Sequence, residues 1–283
     1  MAGTARTAGP TTSGPDLLVR RRVFSDFANG GRAVGSDALP APLERLLRPV
    51  TTIVRAEAGE AVAALTYDDG PDPEQTPPLL DLLAADGLRC TFFVLVDQAE
   101  KHPGLVARML AEGHEVALHG IDHSRLTEVS TATAVARVRE GRERLQQLTG
   151  TPVRFFRPPY GAQTLAQARG FRRLGLEIVL WSGWASDWVH DEVPALAARV
   201  VAPLRPGAVV LLHDRRGDPE TSPAEELPRF SRAAVLREAL ALLAGRGESW
   251  RFTTMGSLLA EAPAVRSVWG DLPDPRAVLG GRR

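Results

Sequence analysis

Short apolar runs and segments with helical apolar spacing alternate along most of the chain. The runs typical of buried strands cover residues 61–67, 91–96, 115–118, 155–156, 177–181, 208–212 and 251–253. Apolar positions recur at helical spacing in residues 76–85, 103–112, 131–148, 165–174, 193–202, 231–244 and 255–260. About seven alternations of this kind predict an α/β fold with a parallel sheet, and a (β/α) barrel is more economical than an open sheet.

This pattern is confined to the middle of the chain and predicts three regions. Residues 1–58 form an N-terminal extension that we expect to be partly disordered, because Gly, Thr, Ser, Ala and Pro dominate its beginning. Residues 59–262 form the patterned domain, and residues 263–283 form a C-terminal tail.

The apolar runs also bear on the location of the protein. A bilayer span takes about 18 consecutive apolar residues, and no run in the chain reaches that length. Residues 17–19 are too short for the core of a secretion signal, and three arginines follow them rather than precede them. These features predict a cytoplasmic protein without a membrane span, while a wrongly assigned start codon would leave secretion open.

Composition narrows the classes of partner. Lys and Arg number 34 and Asp and Glu also number 34, so no net charge draws the chain to nucleic acid. The apolar share of 44% and the charged share of 24% are ordinary for a soluble globular protein. Cys90 is the single cysteine and cannot form an internal disulfide. The sequence leaves the oligomeric state open.

Polar residues that do not suit a core lie at the ends of the predicted strands, where parallel α/β folds build active sites. Asp68 and Asp69 end the first strand. One of them could bind a metal while the other acts as a base, although Asp-Gly-Pro also occurs in ordinary solvated turns. His119 and His123, at the end of the third strand, could share one metal ion or could be two surface histidines.

Three further clusters lie at later strand ends. Arg157 opens the run Arg-Pro-Pro-Tyr-Gly, a stiff loop that could hold a carboxylate ionised and aim an amide N–H at an oxyanion. Residues 181–188 hold three of the five tryptophans, which serve as platforms for sugar rings or as core residues. His213 ends a buried strand and could be a general acid or a structural histidine.

Taken in order, the five clusters resemble the polysaccharide deacetylase family, also called the NodB homology domain or carbohydrate esterase family 4. The matching motifs are T-[FY]-D-D-G-P-D at residues 66–72, H-x-x-x-H at 119–123, R-x-P-Y-G at 157–161, D-W at 187–188 and L-x-H-D at 211–214. The resemblance implies a distorted (β/α) barrel of about seven parallel strands with a NodB-like deacetylase fold. It also implies a metal-dependent hydrolase that removes N-acetyl groups from an N-acetylated amino sugar.

The resemblance further implies a metal site and a base. Asp69, His119 and His123 would be the metal ligands. The metal would usually be Zn²⁺, with Co²⁺, Ni²⁺ or Mn²⁺ as alternatives. Asp68 would be the general base, and Arg157 would pair with it and keep it ionised.

The same resemblance assigns the acid and the substrate pocket. His213 would protonate the leaving amine, and Asp187 would orient it. The backbone N–H of Tyr160 would hold the oxyanion, which makes Tyr160 both a catalytic and a substrate-binding residue. The other substrate-binding residues would be Trp184, Trp188 and Leu211.

Three positions depart from the family pattern, and the substrate stays open. Gly120 stands where Ser or Thr commonly follows the first histidine, Tyr67 replaces the commoner Phe, and Trp184 stands where Asp is frequent. The lack of a clear secretion signal favours a small or activated sugar made inside the cell over a secreted peptidoglycan or chitin substrate. Two other functions remain as alternatives: hydrolysis of cyclic amides, imides or formamides on the same fold, and a non-catalytic barrel that binds sugar or a protein partner.

Overall fold

The computed structural model describes residues 17–19, 46–218 and 227–270. The expectations for the rest of the N-terminal extension and for residues 271–283 of the C-terminal tail therefore lie outside the described residues. Within the described part of the chain, no helix combines the length and the apolar character needed to cross a membrane.

Two sheets organise the described strands. In chain order they are β1 (Leu17–Val19), β2 (Thr51–Ala56), β3 (Val62–Asp68), β4 (Thr91–Leu95), β5 (Glu115–Gly120), β6 (Phe155–Phe156), β7 (Glu177–Ile178), β8 (Gly183–Trp184), β9 (Ala208–His213), β10 (Arg251–Phe252) and β11 (Ala264–Val268). The larger sheet has the order β7-β6-β5-β4-β3-β9-β8, and β10 also pairs with β3. All of its pairings are parallel, so the seven strands form a curled half-barrel and confirm the predicted α/β fold.

Helices connect these strands in the alternation that the sequence predicts. They are α1 (Thr76–Ala85), α2 (Val96–Lys101), α3 (Pro103–Ala111), α4 (Thr131–Thr149), α5 (Leu165–Arg173), α6 (Val193–Val201), α7 (Arg232–Gly245) and α8 (Met255–Glu261). Local signals set their ends: the Ser130 side chain accepts a hydrogen bond from the Thr133 N–H at the start of α4, and Gly150 ends this helix with φ of 66°. Helix α2 was not predicted, since it continues directly from β4 with no side-chain cap.

Each main strand packs on both faces. On β9, Val210 and Leu212 face the outer core, which the helices cover, whereas Val209 and Leu211 face an inner core. This alternation follows from the two-residue period of a strand. The inner core is completed by residues of β2, β11 and α8, such as Ile53, Val265 and Met255.

The second sheet brings both ends of the described chain onto the half-barrel. Strand β11 pairs parallel with β1 and antiparallel with β2. The backbone N–H of Leu180 donates to the carbonyl of Ile53 at 2.8 Å, which places β2 beside the end of β7. Strands β2 and β11 lie outside the predicted domain of residues 59–262, yet Ile53 and Val265 are almost fully buried in the inner core. The packed unit is therefore wider than the pattern of apolar runs indicates.

Candidate active site

Three strands of the larger sheet end in polar residues at the same edge of the sheet. Asp68 ends β3, His119 lies at the end of β5, and His213 ends β9. Asp68 and His213 are register partners on neighbouring strands, and one strand, β4, separates β3 from β5. Because alternate residues of each strand share a face, these three side chains continue the rows that form the inner core below them.

Backbone geometry lets two consecutive aspartates reach the same site. Neighbouring residues of a regular strand point to opposite faces of the sheet. Asp69 leaves the strand with φ of 76°, in the left-handed region that few residues other than Gly adopt. Its carboxylate thereby joins that of Asp68 at the site, and both side chains are nearly fully buried. Strained backbone of this kind is typical of functional sites.

Asp69, His119 and His123 form the candidate metal centre. The Oδ1 atom of Asp69 lies 3.1 Å from Nε2 of His119 and 3.4 Å from Nε2 of His123. One ligand atom from each residue lies within 4.8 Å of the others. Asp69 Oδ1 is buried without a hydrogen-bond partner among the described residues, which a divalent cation would satisfy. One carboxylate and two imidazoles suit zinc and several other divalent ions, so the residues fit a metal.

The ionisation of these ligands also suits a cation. Burial alone would raise the pKa of the Asp69 carboxyl, but the nearby His119, His123 and His213 side chains hold it well below its usual range. Burial is the main reason that the pKa of His123 is lowered, which favours the neutral imidazole with a free lone pair.

The two histidines are held in different ways. A register shift between β4 and β5 places His119 in a bulge, followed by Gly120 with φ of 117°. His119 Nδ1 lies 2.8 Å from the carbonyl oxygen of Arg157, so Nδ1 carries the hydrogen and Nε2 faces Asp69. His123 follows in a loop, and its Nδ1 lies 3.4 Å from Oδ1 of Asp218.

Arg157 holds the predicted base. Its guanidinium is fully buried and its Nη1 donates to Asp68 Oδ1 at 2.6 Å and to the Thr66 hydroxyl at 2.9 Å. Its remaining donors bind the carbonyls of Val179 and Leu180. Burial lowers the pKa of Arg157, while the Asp68 charge opposes that shift. The sequence predicts strand over residues 177–181, but β7 is regular only over Glu177–Ile178. Val179 then forms an isolated bridge with Ile53 of β2, and its carbonyl binds Arg157.

Asp187 and His213 form the predicted acid pair. Asp187 Oδ1 lies 2.8 Å from His213 Nδ1, and its Oδ2 accepts the His213 backbone N–H at 2.9 Å. Burial alone would lower the pKa of His213, but the Asp187 carboxylate raises it above its ordinary value. Burial alone would raise the pKa of Asp187, and the His213 and Arg232 charges lower it instead. Arg232 is thus a third member of this cluster, which no motif of the sequence indicates.

The predicted substrate-binding residues surround the same edge. Tyr160 has φ of 60° and is 45% exposed, and its ring centroid lies 4.3 Å from that of His123. The Trp188 ring meets His213 edge-on at 5.7 Å between centroids. Leu211 is buried in the inner core, and Trp184 and Trp188 are partly buried against that core. The structure therefore places the Trp188 ring against His213, at the edge where Leu211 and His213 lie on the same strand.

Asp214 is a buried acid beside the site that sequence reasoning left without a role. Thr76 donates its hydroxyl hydrogen to Asp214 Oδ2 at 2.6 Å, and Gly70 packs directly against the carboxylate. Burial raises the pKa of Asp214 to about 7, and the charges of Asp69 and Asp72 contribute to this rise. Asp214 thereby connects β9 to the loop that carries Asp69.

The site combines a parallel half-barrel with a buried Asp-His-His cluster, an adjacent buried aspartate and a histidine on a neighbouring strand. The polysaccharide deacetylase family model matches residues 55–179. A chitooligosaccharide deacetylase of Sinorhizobium fredii is 34% identical over 197 residues, which are 69% of this chain and 92% of that protein. The chain belongs to the polysaccharide deacetylase family.

Other relatives extend the similarity beyond the matched range. The peptidoglycan-N-acetylglucosamine deacetylase PgdA of Listeria monocytogenes is 32% identical over 258 residues, covering 91% of this chain. The match covers 50% of that relative, so the chain spans about half of its length.

Solved structures agree with the fold. The crystal structure of the Bc1960 peptidoglycan N-acetylglucosamine deacetylase superposes with a TM-score of 0.65 at 29% identity, covering 77% of this chain and 97% of that one. A family 4 acetyl xylan esterase from Clostridium thermocellum in complex with a cobalt ion has a TM-score of 0.58 at 28% identity, covering 70% of this chain and 89% of that one.

Proposed function

We propose that this protein is a divalent-metal-dependent deacetylase of glycans that contain N-acetylglucosamine. The observation that carries the proposal is the arrangement of Asp68 and His213 beside the Asp69-His119-His123 cluster, on neighbouring strands of one sheet edge. A base and an acid in these positions can serve the two proton transfers of amide hydrolysis. The names of the relatives favour a glycan over the small intracellular sugar that the sequence favours.

Asp69, His119 and His123 would hold the proposed metal. A divalent ion held there would supply a Lewis acid for the acetyl carbonyl and would lower the pKa of a water molecule. Zinc is the ion we expect, and the cobalt complex of a relative supports a site that accepts more than one metal.

The protein residues then divide the proton transfers. Asp68, kept in place by Arg157, takes a proton from the attacking water. The N–H of Tyr160 donates a hydrogen bond to the oxygen that gains negative charge. His213, oriented by Asp187 through Nδ1, gives the proton on Nε2 to the amine nitrogen as the C–N bond breaks. Acetate and a free amino sugar are the products.

The test is acetate release from chitooligosaccharides by the zinc-loaded protein, measured by mass spectrometry. We expect Asp68→Asn to lose at least about 100-fold in kcat, as removal of a general base does. Treatment with a chelator should abolish activity, and added zinc or cobalt should restore it. A wild-type protein that binds zinc stoichiometrically but releases no acetate from oligomers or simple N-acetylhexosamines would contradict the proposal and favour a cyclic amide as substrate.

A further inference from the structure

Arg232 occupies a position that is unfavourable for an unpaired cation. It is the first residue of α7 and is only 5% exposed. A positive charge at a helix N-terminus opposes the helix dipole, and a buried guanidinium is costly unless its donors are satisfied. The groups that Arg232 contacts therefore explain why it is there.

Those groups belong to the acid pair. Nη1 of Arg232 donates to the backbone carbonyl of Asp187 and lies 3.2 Å from its Oδ2 atom. The Arg232 and Asp187 side chains are each 4% exposed. The same carboxylate receives Nδ1–H and the backbone N–H of His213 on its two oxygens. Asp187 is thus held from one side by Arg232 and acts on His213 from the other.

We propose that Arg232 is a positioning residue for proton donation by His213: it fixes the Asp187 carboxylate in the orientation that ties down His213 Nδ1. This inference rests on the proposed function. Arg232 comes 45 residues after Asp187 in the sequence and belongs to none of the motifs that carry the family resemblance. It extends the Asp187-His213 pair to a buried triad of arginine, carboxylate and imidazole.

A purely structural role for Arg232 is the competing explanation. Its backbone N–H donates to the Gln75 side chain at 3.1 Å, and its guanidinium lies 4.7 Å from the centroid of the Phe230 ring. Both contacts help to dock α7. A useful experiment must therefore separate an effect on proton donation from a general disturbance of the site.

Two substrates make this separation. An N-acetyl group leaves behind an amine that must be protonated, whereas 4-nitrophenyl acetate releases a phenolate that needs no proton. Arg232→Met keeps the length of the side chain without its charge, and Arg232→Lys keeps the charge. Arg199→Met is the matched control, because Arg199 donates to the carbonyl of Ala185 in the loop that carries Asp187 but contacts neither Asp187 nor His213 in the described structure.

We expect Arg232→Met to lower kcat for chitooligosaccharide deacetylation by about 10- to 100-fold with little change in KM, since general acid catalysis contributes about 100-fold or more. Hydrolysis of 4-nitrophenyl acetate should change less than about threefold, and Arg232→Lys should recover part of the amide activity. Arg199→Met should leave the ratio of the two activities unchanged. An equal loss on both substrates, or no loss on either, would overturn the inference.

A second measurement does not depend on activity. Histidine side-chain ¹⁵N NMR, with His213 assigned from a His213→Gln spectrum, reports whether Nδ1 of His213 carries the shared hydrogen. The Arg232→Met spectrum should lose the wild-type His213 signature, and the Arg199→Met spectrum should keep it. An unchanged spectrum in Arg232→Met would overturn the inference, while a wild-type protein inactive on every acetylated substrate would instead overturn the proposed function.

Discussion

His119 and His123 each direct one ring nitrogen to the candidate metal centre, so the other nitrogen determines how firmly each ring is held. For His119 that partner is a backbone carbonyl of a buried residue, Arg157. For His123 that nitrogen makes no hydrogen bond among the described residues and lies 3.4 Å from the carboxylate of Asp218, whose side chain is 37% exposed. Gly217 lies so close to the His123 ring that a Cβ there would be 2.5 Å from it. The His123 ring is therefore held in place by the loop after β9.

We expect Asp218→Ala to weaken zinc binding by up to about 10- to 100-fold, as loss of a carboxylate that orients a metal-binding histidine does. Asp218→Asn keeps an acceptor oxygen and should lose less. Metal affinity is measured by competition with a chromophoric chelator. Asp191→Ala serves as the control. It also removes a carboxylate, but one that pairs with Arg199 and contacts no candidate metal ligand. Equal affinities for Asp218→Ala and the control would show that Asp218 does not orient His123.

The residues of the site differ in how well the sequence could predict them. Seven residues lie at strand ends or in motifs of the sequence, and the structure brings all of them to one edge: Asp68, Asp69, His119, His123, Arg157, Asp187 and His213. Asp218 and Arg232 come from a loop and a helix terminus, where arginines and acids are common for reasons of solubility. Only the fold places them against His123 and Asp187, so no spacing in the sequence could have indicated them.

At the scale of elements, the strands and helices with strong apolar patterns were predicted closely. The short elements β6, β10 and α8 were also predicted, whereas β8 and α2 were not. Helix α1 covers Thr76–Ala85 as its apolar spacing predicts. Strand β8 has two residues, and β7 also has two, because the chain after it pairs with β2 through Val179. A two-residue strand such as β8 is too short to show an alternation of apolar and polar positions. Its pairing depends on the neighbouring strand and not on the local sequence.

The end of β5 carries a departure from the family pattern that the structure explains. Gly120 adopts φ of 117°, and a Cβ there would lie 3.0 Å from the carbonyl oxygen of Asp122. The bulge that directs His119 to the candidate metal centre therefore favours glycine in this chain, although Ser or Thr is common at this position in the family.

Gly120→Ser should consequently lower the free energy of unfolding by about 1–3 kcal/mol, and it should weaken metal binding through His119. Chemical denaturation of the metal-free protein measures the first effect. Gly104→Ala is the control, because Gly104 lies in α3 with nothing within 4 Å of its Cβ position and should leave stability unchanged or slightly higher. If Gly120→Ser matches this control, the bulge does not depend on glycine.

At the scale of the whole molecule, Asp214 makes stability depend on pH. Its pKa of about 7 in the folded chain is about three units above its ordinary value of 3.8, and each unit is worth about 1.4 kcal/mol. The folded state therefore binds this proton more tightly than the unfolded state does. The resulting stabilisation is complete below about pH 4 and is lost as the pH rises to about 7.

Asp214→Asn cannot ionise and should not show this loss. The difference in unfolding free energy between the variant and the wild type should shift in favour of the variant by up to about 4 kcal/mol between pH 4 and pH 7. Urea unfolding of the metal-free proteins across this range measures the shift, and the difference itself removes the contribution of other titrating groups. A difference that stays constant with pH would contradict the role assigned to burial of this carboxyl.

The limits of the folding unit give a second prediction at this scale. Residues 59–262 contain every predicted strand and helix but lack β2 and β11, which bury Ile53, Val54 and Val265 in the inner core. Each such side chain contributes about 1.5–3 kcal/mol when fully buried. A protein of residues 59–262 should therefore unfold at a much lower urea concentration than the full chain and should bind a hydrophobic dye.

A protein of residues 46–270 retains both strands and is the matched control. It should keep most of the stability of the full chain, since it includes all inner-core residues of the described structure. The comparison separates two views of the half-barrel. If residues 59–262 are as stable as 46–270, the alternating pattern alone defines the folding unit. If they are not, the sheet formed by β2 and β11 is needed to close the inner core, and the strand ends that hold Asp68, His119 and His213 depend on it.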